Sequence, residues 1–509
     1  MSGNMSPAEF REYGHRVVDW VADYWEEIEE YPVLAQVAPG DIAGRVPARA
    51  PERGEPFDVL LADLDRVVLP GITHWQHPSF FAYFPSSTSG PSVLADIAAA
   101  GLGVQGMLWA TSPACTELET VALEWLRDLL GLPDRFSPAA GGGGVIQDTA
   151  SSATLVATVA ALRRASGGRW NTDGLVDRYT VYTSVEAHSS VPKAARIAGL
   201  GDNAVRLIEV DPDTFAMRPD RLRERIAADR AAGLIPALVV ATIGTTSTTA
   251  VDPLPAIADC CADEEIWLHV DAAYAGAAAI CPELRWSHAG LDRGDSYCVN
   301  PHKWLLAGMD CDAFWVADRA SLIQTLSVLP EYLRNAATES GAVIDYRDWQ
   351  VPLGRRFRAI KLWWVLRWYG AEGLREHIRG HVRLAQDFAG WVRDDPRFEV
   401  VAPHPFGLVC FRLRRRDGES DEAVDKRNEL LLRRLNEPGA VYLTHTRVGG
   451  RYTLRLALGG MTTQRRHVEV AWHLIQAAAT AEAADPTPWS AQPVPLGKSV
   501  AATPPANIR

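Results

Sequence analysis

Short apolar runs separated by helical patterns dominate the middle of the chain. Between about Ser92 and Val316 the runs are Gly144–Gln147, Tyr179–Thr183, Ala204–Val210, Ala237–Ile243, Ile266–Val270, Ser296–Asn300 and Ala313–Val316. Helical patterns such as Ser152–Ala165 and Pro219–Ala232 sit between most of them. Strand alternating with helix predicts an α/β fold: a mostly parallel seven-stranded sheet with helices on both faces. In such sheets ligands bind beyond the carboxyl ends of the strands.

The flanks follow other patterns. Phe10, Tyr13, Val17, Val21, Tyr24 and Ile28 recur at helical spacing, with charge on the opposite face. A Pro- and Gly-dotted run, Pro32 to Pro56, then reads as an extended arm. A lone helix and an arm cannot bury themselves, so they are expected to pack on a second copy of the chain. After the central region come helical patterns at Arg355–Tyr369 and Leu374–Val392 and strand-like segments at Leu408–Leu413, Ala440–Thr444 and Tyr452–Leu458. The expected organisation is a helical dimerisation arm (1–90), a large α/β domain (91–362), a small α+β domain (363–484) and a disordered Pro-rich tail (485–509). No internal repeat is evident.

Composition narrows the function. A net charge of −12 and a pI of about 5.6 argue against nucleic acid, which requires a basic face. The most apolar stretch, Pro91 to Ala110, is interrupted by Asp96 and rich in Gly, so no membrane span is expected. Seven scattered cysteines without a CxxC pair fit neither a zinc knuckle nor a disulfide framework. With no apolar leader pattern between Met1 and Glu30, reduced thiols in a cytoplasm are expected. Some of the 17 tryptophans are candidates for the wall of a flat pocket.

Polar groups gather where the expected strands end. Asp271 follows Ile266–Val270, in HVDAAYAG; His302 and Lys303 follow Ser296–Asn300, in NPHKW. Ala150 and Ser151 follow the first strand and open a helix, GTTSTT follows the fourth, and His188 follows the second in EAHSSV. Lys303 has the apolar neighbours Trp304, Leu305 and Leu306. Desolvation lowers a lysine's pKa and frees the amine to form a Schiff base with an aldehyde. A carboxylate at Asp271 would hold a pyridine nitrogen protonated, since unit charges about 4 Å apart attract by roughly 4 kcal/mol at an effective dielectric of 20. Small residues opening a helix let backbone N–H groups reach a phosphate, and His188 could stack on a ring. Each feature alone has an ordinary explanation: a surface lysine, a glycine loop, a helix-capping aspartate, a core histidine. His188, Asp271 and His302 would also suit zinc, but no HExxH or similar close pair supports a metal. The ordered set within one sheet is what points to pyridoxal phosphate chemistry.

The stretches HPSFFAYFP, SPACTELET, GGGVIQDTASSATLVA, AHSSV, AGLIPALVVATIGTTST, IWLHVDAAYAG, NPHKWLLAGMDCDAFWV, DYRDWQVPLGRRFRAIKLWW and DPRFEVV carry a resemblance. From about Met5 to Ala481 the chain resembles the group II pyridoxal phosphate decarboxylases, most closely the aromatic-L-amino-acid decarboxylases. The resemblance implies a fold-type I enzyme and a homodimer with shared active sites. Lys303 would be the cofactor lysine, Asp271 the partner of the pyridine nitrogen with Ala273 beside it, and His188 the stacking residue. Ala150, Ser151, Asn300 and His302 would contact the phosphate and ring, and Thr246 would hydrogen-bond on the cofactor side. Trp75, Tyr83 and Phe84 would form the aromatic wall of the substrate pocket. Tyr332, in LPEYLRN, falls in the family's lid segment, here about Ser327 to Ser340, and would protonate Cα after CO2 leaves.

The chain departs from the family pattern where members acting on catechols or phenols carry bulky apolar residues. Gln105, Met107 and Met309 stand there; the amide can hydrogen-bond a substrate and the methionines make an adaptable wall. Gly354 is the glycine of members acting on indoles or catechols and leaves room for a large ring. The expected reaction is decarboxylation of an aromatic L-amino acid of the tryptophan, dopa, tyrosine or phenylalanine type. The rival readings are an aldehyde synthase that couples decarboxylation to oxidative deamination, a desulfurase or aminotransferase, and an inactive binding protein of the same fold.

Overall fold

The computed structural model describes residues 4–328, 336–339 and 343–484. Seven strands form the main sheet: β1 (Gly143–Gln147), β2 (Tyr179–Ser184), β3 (Val205–Ile208), β4 (Ile235–Thr242), β5 (Trp267–Asp271), β6 (Ser296–Val299) and β7 (Asp312–Val316), in the order β1-β7-β6-β5-β4-β2-β3. The pairs β2/β3, β2/β4, β4/β5 and β5/β6 are parallel, while β7 runs antiparallel to both its neighbours. All seven expected strands are present, with ends displaced by up to two residues. Their near-continuous apolarity reflects cover on both faces. On one face the helix Ala150–Ala165 packs Ala153, Val156, Ala157 and Ala160 against Val181, Val240, Cys298 and Phe314. On the other, the helix Pro113–Leu130 and the turns after β5 pack against Val239, Val270, Val299 and Trp315. Because β2, β4, β5 and β6 run in one direction, their carboxyl ends open on one edge of the sheet.

A second sheet has the order β10-β11-β9-β8, formed by β8 (Phe398–Val400), β9 (Leu408–Leu413), β10 (Thr444–Val448) and β11 (Arg451–Ala457). The expected strand Ala440–Thr444 is corrected to Thr444–Val448. The backbone of Tyr442 and Leu443 is engaged elsewhere: Tyr442 N–H donates to Ser79 O, Tyr442 O accepts from Phe81, and Leu443 N–H donates to the Asn436 side chain. The strand β8, inside the stretch DPRFEVV, was not expected as one. The helix Ala359–Asp394 starts four residues later than its apolar pattern, since the Arg355 N–H is held by Gln105 Oε1 at 2.5 Å. It is broken at Gly370, whose φ of 63° and ψ of 176° lie where a side chain is disfavoured.

The chain divides into two compact units: residues 1–83, 415–445 and 462–509, and residues 84–414 and 446–461. In the first, the expected amphipathic helix spans Pro7–Glu26. A reciprocal cap opens it: Ser6 Oγ accepts from Glu9 N–H and Glu9 Oε2 from Ser6 N–H. None of its residues is buried, and Phe10 is 61% exposed. A small cluster of Val33, Phe80 and Ala82 with Tyr442 ties the arm to the rest of this unit. The second unit holds the main sheet and the cavity described next.

Candidate active site

The strand ends enclose a cavity of about 200 Å3 lined by Phe84, Thr149, Ala150, Ser151, His188, Thr242, Gly244, Thr246, Asp271, Ala273, Tyr274, Asn300, His302, Lys303 and Met309. A larger groove of about 580 Å3 lies beside the edge strand β3, but its charged side chains pair with one another, as Arg221 does with Glu209 and Glu224, and it holds no nucleophile.

Lys303 sits in the single turn Pro301–Trp304 that follows β6, between the buried His302 and Trp304. Enclosure pulls its ammonium below the usual lysine range, against the opposing pull of Asp271. Its Nζ stands 5.6 Å from the centre of the Phe84 ring, and that ring stacks on Tyr274 at 3.8 Å. Asp271, the last residue of β5, is 5% exposed, and its Oδ1 accepts the Ala273 N–H at 3.0 Å. Burial keeps His188 below the usual histidine range; its Nδ1 accepts the Ser190 N–H, so the ring is neutral with its proton on Nε2.

A second polar group of residues suits an anion. The helix Ala150–Ala165 begins without a side-chain cap, and Thr149 O already serves the N–H groups of Ser152 and Ala153. The first N–H groups, on Ala150 and Ser151, thus open on the cavity at the positive end of a sixteen-residue helix. His302, lowered to about 4 by burial, takes the Cys311 N–H on Nδ1, which leaves a donor at Nε2. Asn300 Oδ1 is buried without a hydrogen-bond partner among the described residues. An amine, a carboxylate, a neutral ring, a helix start and an orphaned amide in one cavity fit pyridoxal 5'-phosphate, with its aldehyde, pyridine nitrogen, flat ring and phosphate.

Eleven of the residues expected from sequence meet here: Phe84, Ala150, Ser151, His188, Thr246, Asp271, Ala273, Asn300, His302, Lys303 and Met309. Trp75, Tyr83, Gln105, Met107 and Gly354 are not among the lining residues. Trp75 and Tyr83 stack on each other at 5.5 Å in the first unit. Gln105 and Gly354 adjoin: a Cβ on Gly354 would lie 3.3 Å from Gln105 Nε2. Met107 O accepts the Arg347 N–H. Tyr332 lies outside the described residues. The sequence reading missed Arg455, whose Nε and Nη2 donate to Ser247 O at 3.1 Å and Thr246 O at 2.8 Å, fixing the loop after β4. The available signal was a charged residue within the apolar run TLRLAL.

This is the architecture and the site of a fold-type I pyridoxal phosphate enzyme. Residues 39–414 match the pyridoxal-dependent decarboxylase conserved domain, and the chain belongs to that family. It is 46% identical over 475 residues to phenylacetaldehyde synthase of Arabidopsis thaliana, covering 93% of this chain and 96% of the relative. It is 45% identical over 476 residues to tryptophan decarboxylase TDC1 of Camptotheca acuminata, covering 93% and 94%. The crystal structure of Oryza sativa TDC with PLP and tryptamine superposes with a TM-score of 0.92 at 44% identity, covering 94% of this chain and 99% of that one. Among the described residues no helix is long and apolar enough to cross a membrane.

Proposed function

We propose that the protein decarboxylates an aromatic L-amino acid of the tryptophan, dopa, tyrosine or phenylalanine type to the arylalkylamine and CO2. The observation that carries this reading is the convergence of Lys303, Asp271 and the helix start at Ala150 on one cavity walled by Phe84. The named activities of the two relatives, one on tryptophan and one yielding phenylacetaldehyde, support an aromatic side chain.

When bound, pyridoxal 5'-phosphate supplies a carbonyl that captures an amine and a ring that accepts the electron pair released at Cα. The N–H groups of Ala150 and Ser151, with Asn300 and His302, would hold the phosphate. Asp271 would keep the pyridine nitrogen protonated, Ala273 and Thr246 would pack or hydrogen-bond beside the cofactor, and neutral His188 would cover the ring. Lys303, its amine freed by enclosure, would anchor the cofactor through its carbonyl. Trp75, Tyr83 and Phe84 wall the substrate, and Gln105, Met107, Met309 and Gly354 limit its ring. Tyr332 donates the proton to Cα. The exposed Phe10 and the apolar Leu94 and Ile97 on the helix Gly90–Leu102 support a homodimer in which Gln105 and Met107 enter the partner's site. The setting is the cytoplasm.

A second reading is favoured by the phenylacetaldehyde synthase relative: decarboxylation with one O2 and one water consumed, yielding aldehyde, CO2, ammonia and hydrogen peroxide. One experiment tests both. Purified enzyme is offered tryptophan, dopa, tyrosine, phenylalanine and histidine, and CO2, amine, aldehyde and peroxide are measured together. CO2 matched by amine supports the first reading; CO2 matched by peroxide and aldehyde selects the second. Absence of CO2 from every aromatic substrate, or turnover by Lys303→Ala, removes both.

A further inference from the structure

Behind Asp271, on the sheet face covered by the helix Ala150–Ala165, four buried side chains outside the site residues above form a continuous chain. Trp267 Nε1 donates to Ser296 Oγ at 2.9 Å. Ser296 Oγ lies 2.9 Å from His269 Nδ1, and His269 Nε2 lies 3.9 Å from Cys298 Sγ. The Cys298 thiol donates to Asp271 Oδ1 at 4.0 Å. The parallel register of β5 and β6 sets this up by placing His269 beside Ser296 and Asp271 beside Cys298.

The chain has a direction. An indole N–H can only donate, so Ser296 Oγ accepts from Trp267. Among the described residues His269 Nδ1 is the acceptor in reach of the Ser296 hydroxyl hydrogen, which assigns the bond in that sense. Burial holds His269 down to about 4, so the ring carries one proton, and with Nδ1 accepting it sits on Nε2, facing Cys298. The sulfur accepts there and gives its own hydrogen to Asp271. Each donor is set by the one before, and the series ends on Asp271 Oδ1, which also takes the Ala273 N–H.

A second carboxyl makes this direction matter. Asp312 opens β7, is fully buried, and has no hydrogen-bond partner on either oxygen among the described residues. Burial, then the charges of Asp271 and Asp148, push it well above the usual carboxylate range, against the pull of Lys303. Donors converge on Asp271 and not, among the described residues, on Asp312.

We propose that Ser296, His269 and Cys298 are positioning residues whose hydrogen-bond chain ends on Asp271 Oδ1 and holds that side chain facing the pyridine nitrogen. This rests on the reading of Asp271 given above.

The test uses binding, not turnover. Apoprotein is titrated with pyridoxal 5'-phosphate and with its 1-deaza analogue, in which C–H replaces the ring nitrogen. Cys298→Ala and His269→Leu are expected to weaken the natural cofactor by about three- to ten-fold, as for loss of a weak donor to a charged group. Binding of the analogue should be unchanged, and Cys298→Ser should restore most of the loss. Equal weakening of both ligands would reduce the chain to a packing role and overturn the proposal, as would unchanged affinity for both. Asp271→Asn separates the two layers of argument. If it discriminates between the ligands while the chain variants do not, only the positioning role fails; if it does not, the reading of Asp271 itself fails.

Discussion

Replacing Glu119 by Leu should strand a guanidinium in the interior. Arg355 and Glu119 form a bidentate pair at 3.1 and 2.7 Å with side chains 1% and 0% exposed. Glu119 Oε1 also accepts the Ile146 N–H at 2.8 Å, so the variant loses three hydrogen bonds at once. Arg355 would keep Gln350 Oε1, Ile146 O and the face of the Tyr346 ring, none of which carries a compensating charge. Breaking a buried pair from one side costs about 3–5 kcal/mol, most of it the desolvation of the surviving charge. Arg355→Met should cost a similar amount by stranding the carboxylate. The double variant Glu119→Leu/Arg355→Met strands neither charge and should recover much of the loss, a coupling of about 2 kcal/mol or more. Urea unfolding of the four apoproteins, followed by tryptophan fluorescence, measures the cycle. Single variants within about 1 kcal/mol of the parent, or a double variant equal to their sum, would refute the reasoning. The pair joins SPACTELET to the segment VPLGRRF beside Gly354, so the same variants report how firmly that glycine is held.

Gly354→Ser should push a Cβ to within 3.3 Å of Gln105 Nε2, whose amide is pinned through Oε1 by the Arg355 N–H. We expect kcat/KM for tryptophan to fall about ten-fold or more, with recovery when Gln105→Ala is added; an unchanged ratio of tryptophan to tyrosine activity would sink this. Stability should fall with acidification. His74, His77, His269, His302 and His381 are held at about 4 and His288 at about 3 by burial, so between about pH 6.5 and pH 4 they gain protons only on unfolding. Asp252, raised to about 6 by burial, opposes with one proton that the folded state gains first. An unfolding midpoint at pH 5.5 equal to or above that at pH 7.5 would contradict this balance. Tyr332→Phe keeps the ring and removes the acid, so amine output should drop while aldehyde and peroxide rise; unchanged amine with no peroxide would exclude Tyr332 from the reaction.

The seven central strands were legible because a strand covered on both faces must be apolar along its whole length, and Val, Ile and Leu runs ended by Asp, Asn or Thr mark it without any tertiary information. The same punctuation placed Lys303, Asp271, His188 and Ala150 at strand ends, and one rule of parallel sheets then brought them together. Other features depended on partners remote in sequence. The segment Ala440–Thr444 is apolar enough for a strand, but its backbone is claimed by Ser79, Phe81 and Asn436, and no local pattern encodes that competition. Arg455 is a charge within an apolar strand, and only the fold places it under the carbonyls of Thr246 and Ser247. His269 and Ser296 read as two polar interruptions in neighbouring strands. Register alone, a matter of which residue lies opposite which, turned them into a chain aimed at Asp271. Hydrophobic spacing thus determined the elements and the edge where chemistry gathers. Which polar groups meet, and which of two buried carboxyls receives donors, was decided by tertiary contacts, because donors and acceptors have no periodicity to read.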